Sequence, residues 1–173
     1  MPPTPEQISE SLCLECGLCC DGTLFQDVRL RPGETPGPLK ARGLPLVRRQ
    51  KQYGFDQPCP ALRGLRCEVY AIRPGHCQAF ECLLFQSARC GEITLSSARS
   101  RIRTTLNQLE RIHSFFHRLG DRNDGTALRR RFLNLARRME SSPLNADEAP
   151  VFSELTLAFH KLNLRLQRCF LNE

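Results

Sequence analysis

The sequence predicts a small α+β protein: an irregular, metal-stabilised cysteine module followed by about three amphipathic helices. Two observations lead to this prediction. Nine of the ten cysteines lie between residues 13 and 90, and apolar side chains recur at helical spacing after Ser97. A chain of 173 residues accommodates one ordinary domain, or a small module with a helical extension. We therefore predict a cysteine-cluster module over residues 1–95 and a helical extension over residues 96–173 that packs on it.

The first half of the chain has few signals of regular structure. Short apolar segments around Val28 and over residues 44–47 are candidates for two short strands that pair with each other. Between them, residues 31–45 are rich in proline and glycine, which predicts a loop or a series of turns.

Three helices are predicted in the second half. The first begins at an N-cap serine, Ser96 or Ser97, and ends near Gly120. The second covers about residues 126–139, and the third follows a capping box that starts at Asn145. Each carries apolar residues at three- and four-residue steps with arginines between them, as amphipathic helices do.

Composition and charge narrow the classes of function. The net charge is +7, with 14 Lys and Arg against 9 Asp and Glu in residues 91–173 and 11 against 9 in residues 1–90. A cationic surface attracts nucleic acid, but tryptophan is absent and tyrosine occurs twice, so few rings are available to stack on bases. The arginine run 129–131 is more typical of a solvated helix face. Nucleic acid is therefore disfavoured, and an acidic protein partner stays open.

Membrane insertion and secretion are not predicted. No apolar run approaches the roughly 20 residues that span a bilayer, and the N-terminus lacks a basic start and an apolar core. We expect a cytoplasmic protein. In that reducing compartment ten cysteines indicate metal binding or redox chemistry rather than disulfides.

Eight of the cysteines form the candidate metal site. The first four follow the pattern C-x2-C-x2-C-C, in which we expect a tight turn at Gly17 to direct the thiolates at one centre. Neighbouring side chains in an extended segment point apart, so the adjacent pair suggests two metals or a bridged cluster. Eight thiolates also match two tetrahedral four-thiolate sites. The proposed ligands are Cys13, Cys16, Cys19, Cys20, Cys59, Cys67, Cys77 and Cys82.

Other residues near the motif receive simpler interpretations. Arg63, Arg66 and Arg73 are candidates for compensating the thiolate charge. Cys90 and Cys169 fall outside the motif and are expected to be small buried hydrophobes. Because so short a segment cannot build a core of its own, we expect the module to lose its fold without metal.

The motif residues resemble a known family. The chain contains C-x2-C-G-x-C-C, then C-P-x-L, then C-x-V-Y-x-x-R-P, and then C-x-x-F-x-C, which is similar to the YkgJ-like cysteine-cluster proteins over about residues 13–85. The resemblance implies zinc or iron chelation, and a similar domain is associated with lysine methylation of flagellin. Nothing comparable covers residues 97–173.

The sequence leaves the metal and the chemistry open. Zinc is favoured, with iron or a 4Fe–4S cluster as the alternative, because Cys13, Cys16 and Cys19 repeat the first three ligands of the bacterial ferredoxin run. An iron–sulfur redox protein, or a methylation-linked modifying enzyme, is the second hypothesis. The third is an arginine-rich adaptor for an acidic partner or nucleic acid.

Overall fold

The computed structural model describes residues 4–141 and 146–171 and confirms the α+β class. A 3₁₀ turn at Tyr70–Ile72 follows the last strand. The strands are β1 (Asp27–Arg29), β2 (Val47–Arg49), β3 (Gln52–Asp56), β4 (Leu62–Arg63) and β5 (Arg66–Cys67). The helices are α1 (Pro5–Cys16), α2 (Gly37–Ala41), α3 (Gly75–Ala79), α4 (Leu83–Arg89), α5 (Leu95–Arg118), α6 (Leu128–Ser141) and α7 (Glu148–Cys169). Within the described residues, no helix is both long and apolar enough to cross a bilayer.

The chain divides into two compact units, each assembled from separate segments of sequence. The helical unit consists of Met1–Cys16, Cys82–Asn123 and Phe132–Glu173. The cysteine unit consists of Gly17–Glu81 and Asp124–Arg131. The predicted division of the chain at residues 95/96 stays a prediction.

The helical unit has a hydrophobic core in which α5 packs against α1, α4 and α7. Burying one large apolar side chain contributes about 1.5–3 kcal/mol, so this core is a main source of stability for the helices. On α6, the ring of Phe132 stacks on Phe159 of α7 with centroids 4.1 Å apart. Among the most deeply buried side chains of α5 and α7 are Ile102, Leu109, Ile112, Phe116, Leu155, Leu162 and Leu166.

The three predicted helices of the second half are confirmed as α5, α6 and α7, with shifted ends. The N-cap of α5 is Thr94, whose hydroxyl oxygen accepts a hydrogen bond from Ser97 N at 3.1 Å, so the predicted serine cap is wrong. The third predicted cap, Asn145, lies outside the described residues.

Helix α1 was not predicted, because its apolar stripe is thin. Ile8 and Leu12 are 4% and 3% exposed, and they stand one turn apart. Two apolar positions after a proline-rich start are too few to establish a helical periodicity.

The strands of the cysteine unit form a three-stranded antiparallel sheet in the order β1-β3-β2. Val28 lies opposite Phe55, and Arg48 lies opposite Tyr53. The predicted pairing of the two apolar segments with each other is therefore wrong, since β3 lies between them. A two-residue turn joins β2 directly to β3 and makes those strands neighbours. The segment predicted to be loop also contains the short helix α2.

The cysteine unit has a core of its own, contrary to the expectation that so short a module cannot build one. Cys59, Cys67 and Cys77 pack against this core, as does Tyr53. These three thiols therefore pack against a hydrophobic core and do not take its place. The buried residues of the cluster are Val28, Leu30, Leu39, Leu44, Leu46, Phe55, Ala61 and Val69.

The arginine run at the start of α6 is not a uniformly solvated face. Arg131 is 1% exposed, and its Nη1 lies 2.6 Å from Asp124 Oδ1. Arg130 forms an ion pair with Asp56 at 3.2 Å. The solvated interpretation is therefore wrong for Arg131, because an arginine is buried when its charge is paired.

The Asp56 carboxylate contributes stability to the cysteine unit that is lost at acid pH. Arg49 donates two hydrogen bonds of 2.8 Å to it, and with Arg130 lowers its pKa to about 2. Because the folded pKa lies below the unfolded value of about 3.9, the stabilisation is complete above that value and is lost as the pH falls toward 2. These side chains are partly exposed, so the contribution is below about 1 kcal/mol.

We predict that Asp56→Asn lowers the urea midpoint at pH 7 and flattens its fall between pH 4 and pH 2. Both tyrosines, Tyr53 and Tyr70, lie in the cysteine unit and tryptophan is absent, so intrinsic fluorescence follows that unit. Glu68→Gln, which removes the longer 3.6 Å pair with Arg63, is the control and should change little. Identical pH profiles for Asp56→Asn and the unmutated chain would contradict the assignment.

Candidate metal centre

The eight motif cysteines are divided between the two units. Cys13, Cys16 and Cys82 belong to the helical unit, and the cysteine unit holds the other five: Cys19, Cys20, Cys59, Cys67 and Cys77. No disulfide bond joins cysteines within the described residues.

In the helical unit, two thiols stand on one helix and a third begins another. Cys13 and Cys16 lie three residues apart in α1, which places them on the same face. Cys82 is the N-cap of α4, and α4 packs against α1. Burial raises the pKa of the Cys82 thiol, and charge on Cys13 raises it further. A helix, rather than the predicted tight turn, therefore sets the first C-x2-C spacing.

The next two thiols follow a turn at Gly17. Gly17 has φ +69°, and its carbonyl oxygen accepts hydrogen bonds from Cys20 N at 2.8 Å and from Asp21 N at 3.0 Å. The turn brings the sulfurs of Cys19 and Cys20 to 3.6 Å from each other. The predicted divergence of the pair is wrong, because the segment is a turn rather than an extended strand.

Backbone hydrogen bonds join this turn to the loop that carries Cys59. Cys59 N donates to Cys20 O at 2.7 Å, and Gln57 Nε2 donates to Cys19 O at 3.3 Å. Gln57 is 2% exposed, and its Oε1 has no hydrogen-bond partner among the described residues. Sequence reasoning missed Gln57, since an amide side chain before a cysteine carries no recognisable ligand signal.

Two further short elements present Cys67 and Cys77. Cys67 ends β5 and lies opposite Leu62 of β4. The hydrogen bond from Glu68 N to Ala61 O, 2.8 Å long, continues this pairing toward Cys59. Cys77 lies in the five-residue helix α3. Four separate segments of the cysteine unit thus each contribute a thiol.

Four of these thiols, Cys20, Cys59, Cys67 and Cys77, interact with one another electrostatically in every pairing. Burial raises the pKa of Cys59 to about 11 and that of Cys77 to about 12, and charge on neighbouring thiols adds to both shifts. Burial also raises the pKa of Cys67. The hydrogen bond from Cys19 lowers the pKa of Cys20. We call these four residues the four-thiol cluster.

Arg73 supplies positive charge to the four-thiol cluster. It lowers the pKa of Cys20, Cys67 and Cys77, although burial dominates in the last two. Its guanidinium lies 3.7 Å from the ring centroid of Tyr70, and its Nε donates to Tyr70 O at 3.1 Å.

The charge of the cysteine unit as a whole is also positive. It holds 13 Lys and Arg against 7 Asp and Glu, a net charge of +6, of which residues 124–131 from the second half of the sequence contribute +2. Arg63, another predicted compensating residue, instead donates to the carbonyl oxygens of Pro60 and Leu62.

The donor chemistry of the four-thiol cluster fits a soft metal. Thiolates bind zinc and iron, whereas magnesium and calcium prefer oxygen. Within residues 4–141 and 146–171, however, no group of three or more His, Cys, Asp or Glu side chains already stands in an arrangement that could hold a metal ion. Binding therefore requires the thiols to lose their protons and move toward a common centre.

The cysteines outside the motif differ in exposure. Cys169 is half-buried at the end of α7, whereas Cys90 after α4 is exposed. The expectation of a buried hydrophobe is therefore wrong for Cys90.

Comparison with known proteins agrees with the chemistry of the thiols. A family model named CxxCxxCC, described as "Putative zinc- or iron-chelating domain", matches residues 12–104, which is more than half of the chain. No curated protein and no solved structure is similar enough to be accepted as a match.

We predict that Gly22→Ala destabilises the cysteine unit more than Gly43→Ala does. Both glycines have positive φ, +86° and +80°, so both substitutions add strain of about 1–2 kcal/mol. A Cβ at position 22 would also lie 2.9 Å from Ala127 Cα, whereas nothing lies within 4 Å at position 43. The excess loss for Gly22→Ala should be about 1 kcal/mol or more, measured by tyrosine fluorescence in urea. Equal losses of stability in the two variants would contradict the prediction, because the segment around Ala127 would then move aside at no cost.

Proposed function

The chain belongs to the CxxCxxCC family, and on that premise we propose that it is a metal-binding protein whose cysteine unit holds zinc on the four-thiol cluster. The observation that carries the proposal is that Cys59, Cys67 and Cys77 pack against one small core and that the backbone of Cys20 is hydrogen-bonded to that of Cys59. The four thiols come from different segments of the cysteine unit and interact with one another electrostatically, as the ligands of a tetrahedral four-thiolate site would.

The four-thiol cluster supports a structural site rather than a catalytic one. Four protein thiolates fill the tetrahedral coordination of zinc and leave no position for water or substrate. When bound, the ion would supply a cross-link between the segments that carry Cys20, Cys59, Cys67 and Cys77. Arg73 would offset part of the negative charge that four thiolates retain around a divalent cation.

The other four motif cysteines are proposed to extend metal binding within their own units. We propose Cys13, Cys16 and Cys82 as ligands of a second metal in the helical unit, because α1 and α4 pack together and the Cys13 charge acts on Cys82. Cys19, whose sulfur lies 3.6 Å from that of Cys20, is proposed as an exchangeable ligand of the first centre.

Iron is the alternative occupant, and elemental analysis separates it from zinc. Anaerobically purified protein is expected to be colourless, with zinc in whole equivalents per chain. Visible sulfur-to-iron charge-transfer absorbance together with acid-labile sulfide would instead identify the bound group as an iron–sulfur centre.

We predict that Cys77→Ser lowers the bound zinc by one equivalent per chain, because a four-thiolate centre loses a ligand that oxygen replaces poorly. Cys169→Ser, which changes a half-buried thiol outside the motif, is the matched control and should keep the full metal content. Zinc is measured by mass spectrometry of the metal after gel filtration. Equal zinc contents in the two variants would exclude Cys77 as a ligand.

We also predict that chelation loosens the cysteine unit and leaves the helical unit folded. The cysteine unit has a small core, and its buried thiols retain their protons when metal is removed, so we expect local loosening. Tyrosine fluorescence and protease cleavage between residues 59 and 82 should change, while the helical circular dichroism persists. An unaltered cleavage pattern after complete removal of metal would contradict a structural role for the ion.

A further inference from the structure

The carboxylate of Glu34 joins two segments that are distant in the sequence of the cysteine unit. Glu34 lies between β1 and α2 and is half-buried. Its Oε2 accepts a hydrogen bond from Arg31 N at 2.5 Å, and its Oε1 accepts one from Gly75 N at 2.6 Å. Both oxygens of one side chain are thus occupied by backbone amides from different loops.

This contact stands at the start of α3, where an acceptor is needed. The first amides of a helix have no acceptor within the helix, and a polar N-cap side chain normally supplies one. The N-cap of α3 is Pro74, whose side chain has no oxygen. Glu34 therefore caps α3 from another loop. A charged acceptor also makes a stronger hydrogen bond than a neutral one.

Gly75 leaves the space that the approach of Glu34 requires. A Cβ at position 75 would lie 2.8 Å from Glu34 Oε1 and 3.0 Å from Arg31 Cδ. Any side chain at this position would displace the carboxylate or the Arg31 side chain. The glycine and the glutamate therefore form one contact, although 41 residues separate them.

The helix that Glu34 caps carries Cys77. Cys77 is the third residue of α3, so its Cβ direction follows from the backbone of a single helical turn. Other backbone hydrogen bonds of α3 are local, such as Gln78 N to Pro74 O and Phe80 N to His76 O. The bond from Gly75 to Glu34 connects this turn with the segment after β1.

We propose that Glu34 is a positioning residue for the metal centre: by capping α3 from the β1–α2 loop, it directs the Cys77 thiol toward Cys20, Cys59 and Cys67. This inference rests on the proposed function, because it assumes that the four-thiol cluster binds metal. It also makes a statement about the metal-free chain, where the orientation of Cys77 is measurable without any ion.

The test compares Glu34→Gln and Glu34→Ala with the unmutated full chain. In metal-free protein, the rates of iodoacetamide labelling of Cys77 and Cys59 are measured in the same sample by peptide mass spectrometry. Glu34→Ala should raise the Cys77:Cys59 rate ratio by about tenfold or more, the size of effect that loss of one hydrogen bond to a charged group produces. Glu34→Gln retains one acceptor oxygen and should give an intermediate ratio.

A cobalt titration supplies the second readout. Cobalt(II) on four thiolates absorbs in the visible and near-ultraviolet, and its spectrum reports ligand geometry. We expect Glu34→Ala to weaken cobalt binding by about tenfold, as loss of a residue that orients a metal ligand does, and to change the band intensities. Asp27→Asn, which removes a carboxylate that pairs with the exposed side chain of Arg29, is the matched control and should leave the ratio and the spectrum unchanged.

The outcomes separate this inference from the proposed function. An unmutated chain that takes up no cobalt would overturn the four-thiol centre, while the labelling ratio would still test Glu34. A ratio that stays unchanged in both Glu34 variants would overturn the positioning role. Equal acceleration of Cys59 and Cys77 in Glu34→Gln would also overturn it, because the carboxylate would then stabilise the whole unit rather than α3.

Discussion

Burial of three thiols on one small core, with a fourth on the turn hydrogen-bonded to it, is the constraint on which the cysteine unit depends. Cys59, Cys67 and Cys77 pack against the same apolar cluster, and burial holds their protons in place. Deprotonating one thiol places a charge near the other three, so ionisation of the set is unfavourable in low dielectric. A shared cation reverses this balance, because it attracts every thiolate at once. In the proposed centre, proton loss, metal binding and closure of the cluster would therefore be one coupled process.

The scaffold around the thiols follows from the same constraint. Four segments that are separate in sequence must converge, and closing the loops between them costs conformational entropy. Hydrogen bonds donated by backbone amides offset part of this cost. They run from Cys59 to the Cys20 carbonyl, from Glu68 to the Ala61 carbonyl, and from Gly75 to the Glu34 side chain. Each of these bonds lies within two residues of a cysteine and uses no sulfur atom. The polypeptide therefore brings the four segments together, and in the proposed centre the metal would complete the approach of the sulfurs.

The sequence predicted the α+β class and the three long helices, because their apolar residues repeat over many turns. It also predicted a set of eight cysteine ligands, which stays a prediction, because cysteine spacing is visible without a structure. Helix α1 was missed because two buried residues do not define a period, and the sheet order was wrong because β3 gives no stronger signal than its neighbours. Glu34 and Gln57 lay beyond sequence reasoning altogether. Their roles arise from contacts across tens of residues, which local patterns do not record.

The cysteine unit includes a short arginine-containing segment that lies far from the cysteines in the sequence. The family match ends at residue 104, yet residues 124–131 belong to the cysteine unit. Leu128 N donates to Gly22 O at 3.0 Å, and Arg130 pairs with Asp56. The segment adds three arginines to the unit, one of them fully buried beside Asp124. Two of these three arginines form ion pairs with carboxylates of the same unit, Arg130 with Asp56 and Arg131 with Asp124, so their charge takes part in contacts within the unit. The cysteine unit of this chain therefore includes a segment from outside the region shared with its family.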